Sequence, residues 1–183
     1  GEMCENLDRM RIPITKNKRV SGEIPYYGAS GIVDYVKDYI FDEDLLLVSE
    51  DGANLLARTY PIAFSISGKT WVNNHAHVLQ PKNTEIKYLL YALNQANLLP
   101  YTKGSTRLKL NRGDANNILL RIAPLPTQKQ IVAKLDHILG ELEVKKKEIL
   151  SLIEKNKERI DFFEKNWMSY VIDREIEKHP QRK

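Results

Sequence analysis

Basic side chains crowd two short segments of the chain, and their types and spacing suit the binding of phosphate. The first segment carries Arg9, Arg11, Lys16, Lys18 and Arg19. The second is the polar loop Thr102–Arg107 with its flank, which carries Lys103, Arg107, Lys109 and Arg112. Guanidinium forks, ammonium groups, hydroxyls and backbone amides beside glycine are donors that phosphate oxygens and base edges accept. A merely solvated surface loop is the competing interpretation.

Other groups have the residue types, but not the setting, for catalysis or metal binding. Ser67–Thr70 copies the end of a phosphate-binding loop but lacks the first glycine and the strand-to-helix context. His75 and His77 would share one side of a strand, and without cysteine or acidic residues nearby we expect one core and one surface histidine. Asp42–Asp44 and Glu50–Asp51 indicate a turn and a strand end, with no paired lysine as in a nuclease. The sequence therefore predicts no catalytic residue, no metal and no cofactor.

Length and composition indicate one domain with an added helix. The chain has 183 residues, 42% of them hydrophobic, and a formal net charge of +4 that is too small to argue for nucleic acid by itself. Its apolar runs fall short of the roughly 20 residues that a membrane span needs. The single cysteine, Cys4, rules out an internal disulfide and fits a reducing cytoplasm.

Residues 1–123 are predicted to mix strands with one helix. The predicted strands are Leu45–Val48, Tyr60–Ser65, Thr70–Val72, His77–Leu79 and a last buried strand, Ile118–Ala123. Ser67-Gly68 is predicted as a hairpin turn between the second and third. The apolar positions from Ile86 to Leu98 predict an amphipathic helix that is capped by Asn83 or Thr84 and ends at Pro100.

From residue 127 or 128 to about 176 the sequence predicts one long helix. Thr127 and Gln130 form a capping box directly after Pro124-Leu125-Pro126. An apolar seam with coiled-coil spacing follows at Leu135, Leu139, Leu142, Lys146, Ile149, Ile153, Asn156, Ile160, Phe163 and Trp167. A helix of roughly 75 Å, at about 1.5 Å per residue, is too long for the domain to cover. The seam therefore requires another helix. Lys146 and Asn156 either fix its register or face solvent.

The order and spacing of several fragments resemble the DNA-specificity (S) subunits of type I restriction-modification systems. The fragments are Ile24–Asp34, Leu45–Gly52, Trp71–Leu79, Gly104, Leu110-Asn111, Ile122–Pro126 and Gln130–Val132. In that family a target recognition domain reads DNA, and a long helix serves as spacer and as dock for methyltransferase (M) subunits, through which restriction (R) subunits join. Full-length members have two such halves with antiparallel helices. The resemblance therefore implies a half subunit that pairs with a second copy of itself.

The expected fold class is α+β: a target recognition domain at 1–124, then a long helix at 125–183 that forms an antiparallel coiled coil. The resemblance implies a DNA-binding subunit that is not an enzyme, with double-stranded DNA, M and R subunits as partners. Candidate DNA-binding residues are Lys16, Lys18, Arg19, Tyr26, Tyr27, Ser30, Arg58, Lys69, Lys103, Ser105, Thr106, Arg107, Lys109 and Arg112. Of the two tyrosines we expect one in the core and one in stacking. A nuclease or methyltransferase fragment and a protein-only coiled-coil adaptor remain alternatives.

Overall fold

The computed structural model describes residues 2–105 and 107–178, which form ten strands and four α-helices. The strands are β1 Cys4–Asn6, β2 Ser21–Gly28, β3 Gly31–Val36, β4 Phe41–Asp42, β5 Leu45–Ser49, β6 Ala63–Ile66, β7 Lys69–Val72, β8 Ala76–Pro81, β9 Thr102–Lys103 and β10 Lys109–Leu110. The helices are α1 Asn54–Ala57, α2 Ile86–Gln95, α3 Arg112–Asn116 and α4 Leu125–Lys178. The expected α+β class is confirmed.

The chain divides into two compact units, one that ends at Val132 and one that begins at Ala133. The first unit holds both sheets and the first turns of α4. The second unit consists, in its described part, of the remainder of α4. None of the described helices is long and apolar enough to cross a membrane.

Strand β5 is the central strand of the first unit, and it is buried on both faces. The sheet order is β1-β8-β5-β6, and all its pairs are antiparallel. Leu46 and Val48 pack into one apolar cluster with α2, whereas Leu45 and Leu47 pack into a second cluster. This period-2 alternation between two cores explains why four consecutive residues of β5 are apolar. The strand predicted at 45–48 is confirmed.

A second four-stranded sheet has the order β3-β2-β7-β4. The β2–β7 pair is parallel and the other two pairs are antiparallel. The turn at Ser67-Gly68 therefore leads from the first sheet, at β6, into the second sheet, at β7. The predicted hairpin between these strands is wrong, although Gly68 has the positive φ of a turn, +65°. Strand β6 instead pairs with β5, and β7 pairs with β2 and β4.

The predicted helix near residue 86 is confirmed as α2, but its predicted caps are wrong. Glu85, not Asn83 or Thr84, occupies the position before the helix, and no side chain caps it. Asn83 adopts a φ of +50° in the preceding turn. The Thr84 hydroxyl instead donates to the side-chain oxygen of Gln128 at 2.8 Å. The helix ends at Gln95, five residues before Pro100.

The strand predicted at 118–123 does not form. Ile118 and Leu120 pack against the α2-side core, but Leu119 is 86% exposed. Tyrosine hydroxyls, not a neighbouring strand, bond to this backbone: that of Tyr101 accepts from the Leu119 amide at 3.2 Å, and that of Tyr88 donates to the Arg121 carbonyl at 2.7 Å. One-sided anchoring by side chains thus replaces strand pairing.

Helix α4 starts at Leu125, two residues before the predicted start, so the capping box at Thr127 and Gln130 is wrong. Pro126 is tolerated in the first turn because the amides there have no partner within the helix. The residue that fixes this end is Gln128, which is 1% exposed. Its side-chain oxygen accepts from Thr84 and from the Glu85 amide, both at 2.8 Å, and its amide group donates to the Ala123 carbonyl at 2.7 Å.

Gln128→Ala should lower the free energy of unfolding by about 2–3 kcal/mol, since it removes three hydrogen bonds and leaves the Glu85 amide unsatisfied. The matched control, Gln130→Ala, should cost less than about 0.5 kcal/mol because that side chain is exposed. Urea unfolding of both variants measures the difference. Equal losses, or a larger loss for Gln130→Ala, would restore the capping box.

Candidate nucleic-acid interface

The predicted basic loop is a short hairpin. Strands β9 and β10 pair with Lys103 opposite Lys109, and α3 follows directly. Gly104 begins the turn with a φ of +96°, and a Cβ there would lie 2.4 Å from the Arg107 carbonyl oxygen. Only glycine fits such a position without a shift of the backbone. The turn therefore holds the backbone close while Arg107 projects outward.

The hairpin is tied to the end of β5. Asp51 pairs with Lys109 in an antiparallel bridge. The Leu110 amide donates to the Glu50 carbonyl at 2.8 Å, and the Gly52 amide donates to the Leu108 carbonyl at 3.0 Å. Leu110 itself is fully buried in the α2-side core. The basic hairpin is thus a fixed extension of the central strand.

Three basic side chains of the hairpin each pair with a nearby carboxylate and yet stay accessible to solvent. Lys103 lies 3.0 Å from Asp114, Arg107 lies 2.7 Å from Asp51, and Lys109 lies 3.2 Å from Glu50. The three basic side chains are 67%, 66% and 52% exposed respectively. Exposed ion pairs are worth only about 0–1 kcal/mol, so an incoming phosphate can replace the carboxylate partner of Lys103 or Lys109. Arg112, at the start of α3, is exposed as well.

Beneath the hairpin lies a buried ionic cluster of Asp8, Arg11, Glu50 and His77. The Arg11 guanidinium donates to Glu50 at 2.6 Å and lies 3.5 Å from Asp8. His77 is fully buried, with Nδ1 at 2.6 Å from Asp8 and Nε2 at 2.7 Å from the Leu110 carbonyl. Because a carbonyl only accepts, Nε2 carries a proton, and Nδ1 shares a further proton with the Asp8 carboxylate.

Asp8 is the anion that this cluster is built around. Burial by itself would raise the pKa of Asp8, but the hydrogen bond and charge of His77, the Val78 amide and the Arg11 charge together hold it below its usual value. The Val78 amide donates to the other carboxylate oxygen at 2.9 Å. Asp8 is thus a carboxylate, and the cluster cross-links the chain near residue 8 to β5, β8 and β10.

The same cluster is the one group of three metal-type ligands among the described residues. Ligand atoms of Asp8, Glu50 and His77 lie within 4.8 Å of one another. Each of these atoms already has a hydrogen-bond partner, and the Arg11 guanidinium occupies the place between the carboxylates that a cation would take. The expectation that no acidic residue lies near the histidines, and no lysine near Glu50, is wrong. The expectation of one core and one surface histidine is confirmed, since the His75 side chain is 42% exposed.

The N-terminal basic segment divides between inward and outward residues. Arg19 donates to Asp34 at 2.8 Å and stacks 4.4 Å above the Tyr26 ring. Its hydrogen bond holds the pKa of Asp34 below the usual value. Arg11 belongs to the buried cluster. Lys16 and Lys18, on a 3₁₀ turn, are exposed.

The two tyrosines of β2 both have internal roles. Tyr26 is 1% exposed, and its hydroxyl accepts from the Ile14 amide at 2.9 Å, which confirms one core tyrosine. Tyr27 is partly buried and packs against Phe64, with ring centroids 6.0 Å apart. The stacking role predicted for the second tyrosine stays a prediction.

The remaining predicted residues are scattered over the first unit. The Arg58 guanidinium donates to the carbonyls of Leu55, Asn94 and Ala96 at 2.9, 3.2 and 2.7 Å, and its burial lowers its pKa. Lys69 lies 4.8 Å above the Tyr39 ring. Ser30 and Ser105 are exposed. Thr106 lies outside the residues that the structure describes. The structure brings together Lys103, Ser105, Arg107, Lys109 and Arg112.

A family of known proteins shares this sequence pattern. The model of the type I restriction modification DNA specificity domain matches residues 1–155. The chain belongs to that family. A protein named as a type I restriction enzyme specificity subunit of Haemophilus influenzae is 38% identical over 136 residues, which are 74% of this chain and 35% of that protein. The chain therefore spans about a third of this relative.

Solved structures have the same fold as this specificity domain. The S subunit of a type I restriction-modification system from M. genitalium matches 79% of this chain and 39% of its own, at a TM-score of 0.56 and 17% identity. The HsdS subunit from Thermoanaerobacter tengcongensis matches 78% of this chain and 37% of its own, at a TM-score of 0.50 and 18% identity. At such low identity the likeness concerns the fold alone.

The sequence analysis missed the acidic residues that hold the basic ones. Asp8, Asp51 and Asp114 each contact a cation of the specificity domain's hairpin or of the cluster beneath it. A signal was present in Glu50-Asp51, because two carboxylates that end a strand buried on both faces must find cationic partners. Which cations would serve depended on the β9–β10 register, which the sequence does not reveal.

Asp8→Asn should lower the free energy of unfolding by about 3 kcal/mol near neutral pH, because it leaves the buried Arg11 guanidinium and the His77 ring without their carboxylate partner. The pKa of Asp8 is lower folded than unfolded, where it is about 3.9. Its stabilisation is therefore complete above that value and is lost as the pH falls through the folded-state pKa. Urea titrations should show the wild-type and variant curves converging in acid.

The control is Asp44→Asn, which removes an exposed carboxylate and should change stability by less than about 0.5 kcal/mol. A wild-type advantage that persists unchanged into acid would mean that Asp8 is not charged in the folded protein.

Proposed function

We propose that this chain is the DNA-reading part of a type I restriction-modification specificity subunit. In this proposal it recognises a DNA sequence in the cytoplasm and directs methyltransferase and, through them, restriction subunits to that site. The observation that carries the proposal is the exposed basic hairpin, built as an extension of the central strand in a chain of the DNA specificity domain family. Neither the nuclease or methyltransferase alternative nor the protein-only adaptor has a comparable observation in its favour.

The chemistry of the hairpin supports a division between phosphate and base contacts. Lys103, Lys109 and Arg112 are exposed cations at its base, and Lys carries a compact charge that suits phosphate. Arg107 and Ser105 lie nearer the tip, where a fork and a hydroxyl can reach base edges in the major groove. Lys16 and Lys18 are further phosphate candidates from the N-terminal segment. Arg19 and Arg58, which are engaged within the fold, do not join this surface.

The proposed role is non-catalytic. Asp8, Glu50 and His77 have the residue types of a hydrolytic site, but the Asp8 and Glu50 side chains are only 3% and 10% exposed, and Arg11 sits between them. Catalysis by such a group would require an open face for a substrate or a metal. The ionic cluster instead supports the hairpin from below.

The long helix is proposed to bind both a second copy of the chain and a methyltransferase subunit. The seam from Leu139 to Trp167 is exposed along its whole length, with Leu142, Ile149, Ile153 and Ile160 each exposed by more than half. Val144 and Phe162 are also exposed and fall on the opposite face, at about 100° per residue. Lys155, Glu158 and Lys165 share that face, so the seam is the continuous apolar surface of the helix. The proposed methyltransferase contact rests on the family to which the chain belongs. Antiparallel pairing through the seam would relate two recognition domains by a two-fold axis.

Replacement of Lys103, Lys109 and Arg112 together by alanine should weaken DNA binding and flatten its dependence on salt. The slope of log K against log salt concentration is negative, and each lost phosphate contact should reduce its magnitude by about 0.9. Binding to a duplex measured over a range of salt concentrations gives the slope. Alanine at Lys155, Lys157 and Lys165, on the helix, changes the charge equally and should leave the slope unchanged. An unchanged slope in the hairpin variant would remove these residues from the interface.

Leu142→Glu with Ile153→Glu should convert a dimer into a monomer, because it places charges in the apolar seam. Light scattering should give twice the chain mass for the wild type and the chain mass for the variant. Lys147→Glu with Ser151→Glu, which adds charge on the side of the helix away from the seam, should remain dimeric. A seam variant that stays dimeric would mean that the seam does not form the contact.

A further inference from the structure

The Arg107 side chain has a fixed anchor although it is mostly exposed. Its Nη2 donates to Oδ2 of Asp51 at 2.7 Å. The Arg107 side chain is 66% exposed, whereas the Asp51 side chain is 14% exposed. The carboxylate is thus part of the body of the domain, and the guanidinium extends from it toward solvent. Loss of side-chain freedom before binding lowers the entropy cost of contact with a ligand.

Asp51 itself is held from two sides. Its backbone pairs with Lys109, on the strand that follows Arg107. Its Oδ2 also lies 2.8 Å from Nδ1 of His75, whose own amide donates to the Asn73 side chain at 2.7 Å. The other two ion pairs of the hairpin use lysine, which offers a rotatable point charge and no fixed plane. Arg107 is the residue of the hairpin whose anchored group is itself planar, with donors in a rigid fork.

The contact leaves the guanidinium able to make a two-donor interaction. A guanidinium has two edges of paired N–H groups, one formed by Nε with Nη2 and one by Nη1 with Nη2. Asp51 accepts from Nη2 only, so one of the two edges keeps both its donors. Guanine presents two acceptors, N7 and O6, in the major groove, and arginine matches them with such an edge.

We propose that Asp51 is a positioning residue that holds the Arg107 guanidinium so that its free edge reads guanine in the major groove. The inference rests on the proposed DNA-reading function and assigns one base contact within it. Asp51 itself touches no base. Its carboxylate would repel the phosphates of nearby DNA, so it does not add affinity in general. Its benefit comes from the orientation of Arg107 and is confined to the base pair that Arg107 reads.

The test compares binding of the full chain to its selected duplex and to duplexes with each base pair replaced in turn. Arg107→Ala should abolish the preference for one G·C pair, by about 5- to 150-fold for a bidentate contact. Asp51→Asn should remove part of that preference, about 2- to 5-fold at the same pair, with affinity for unrelated DNA unchanged or slightly higher. Arg107→Lys, which keeps the charge at an exposed position and loses the fork, should show the same loss as Arg107→Ala with the salt slope unchanged.

Asp114→Asn is the matched control, since it removes the carboxylate partner of Lys103 on the same hairpin and should keep the full preference. The inference is overturned if Asp51→Asn or Arg107→Lys retains the wild-type preference, or if Asp51→Asn weakens binding to all duplexes equally. Circular dichroism distinguishes a misfolded Asp51 variant, in which case Arg107→Lys decides. A wild-type chain without any sequence preference would instead contradict the proposed function and the inference together.

Discussion

The burial of β5 on both faces is the constraint on which the rest of the first unit depends. Its residues alternate between two cores, and the strand then ends in Glu50 and Asp51, whose charges have to be met at once. Arg11 meets the Glu50 charge from the interior side, and Lys109 and Arg107 meet the charges of Glu50 and Asp51 from the surface. At the end of this strand, buried charges are therefore paired on the inner side, and basic side chains face solvent on the outer side. The β9–β10 hairpin is held in place here by backbone hydrogen bonds to the residues that follow the central strand.

The basic residues of this chain have two different roles. Those that are buried stabilise the fold, and those that are exposed are available to a ligand. Arg11, Arg19 and Arg58 use their guanidinium groups to satisfy carboxylates or carbonyls within the fold. The basic hairpin residues Lys103, Arg107 and Lys109 keep more than half of each side chain exposed while each pairs with one carboxylate. Net charge, at +4 over 183 residues, does not reveal this distribution. What matters for a polyanionic partner is which cations lie at the surface.

Sequence reasoning succeeded where one local pattern had one physical solution. The apolar run of β5, the one-sided face of α2 and the long seam of α4 are periodic signals, and each specified its element. It failed where the answer lay in a distant partner: Thr84 binds Gln128, Arg58 binds carbonyls at the C-terminal end of α2, and the chain from Ile118 to Ala123 is held by tyrosines. The loop with Lys103 and Arg107 was found by composition, but its acidic supports were not, because they depend on the β9–β10 register.

Selection of bound duplexes from a random pool tests the central claim, that the chain reads a DNA sequence, most directly. The same measurement also shows whether the bound site is symmetric. Two identical recognition domains related by a two-fold axis present the same surface to the two strands in opposite directions. The full chain should therefore enrich an inverted repeat, with two half-sites separated by base pairs that are not read. A pool that shows no enriched sequence would contradict the DNA-reading role, and a single asymmetric site would contradict the symmetric pair.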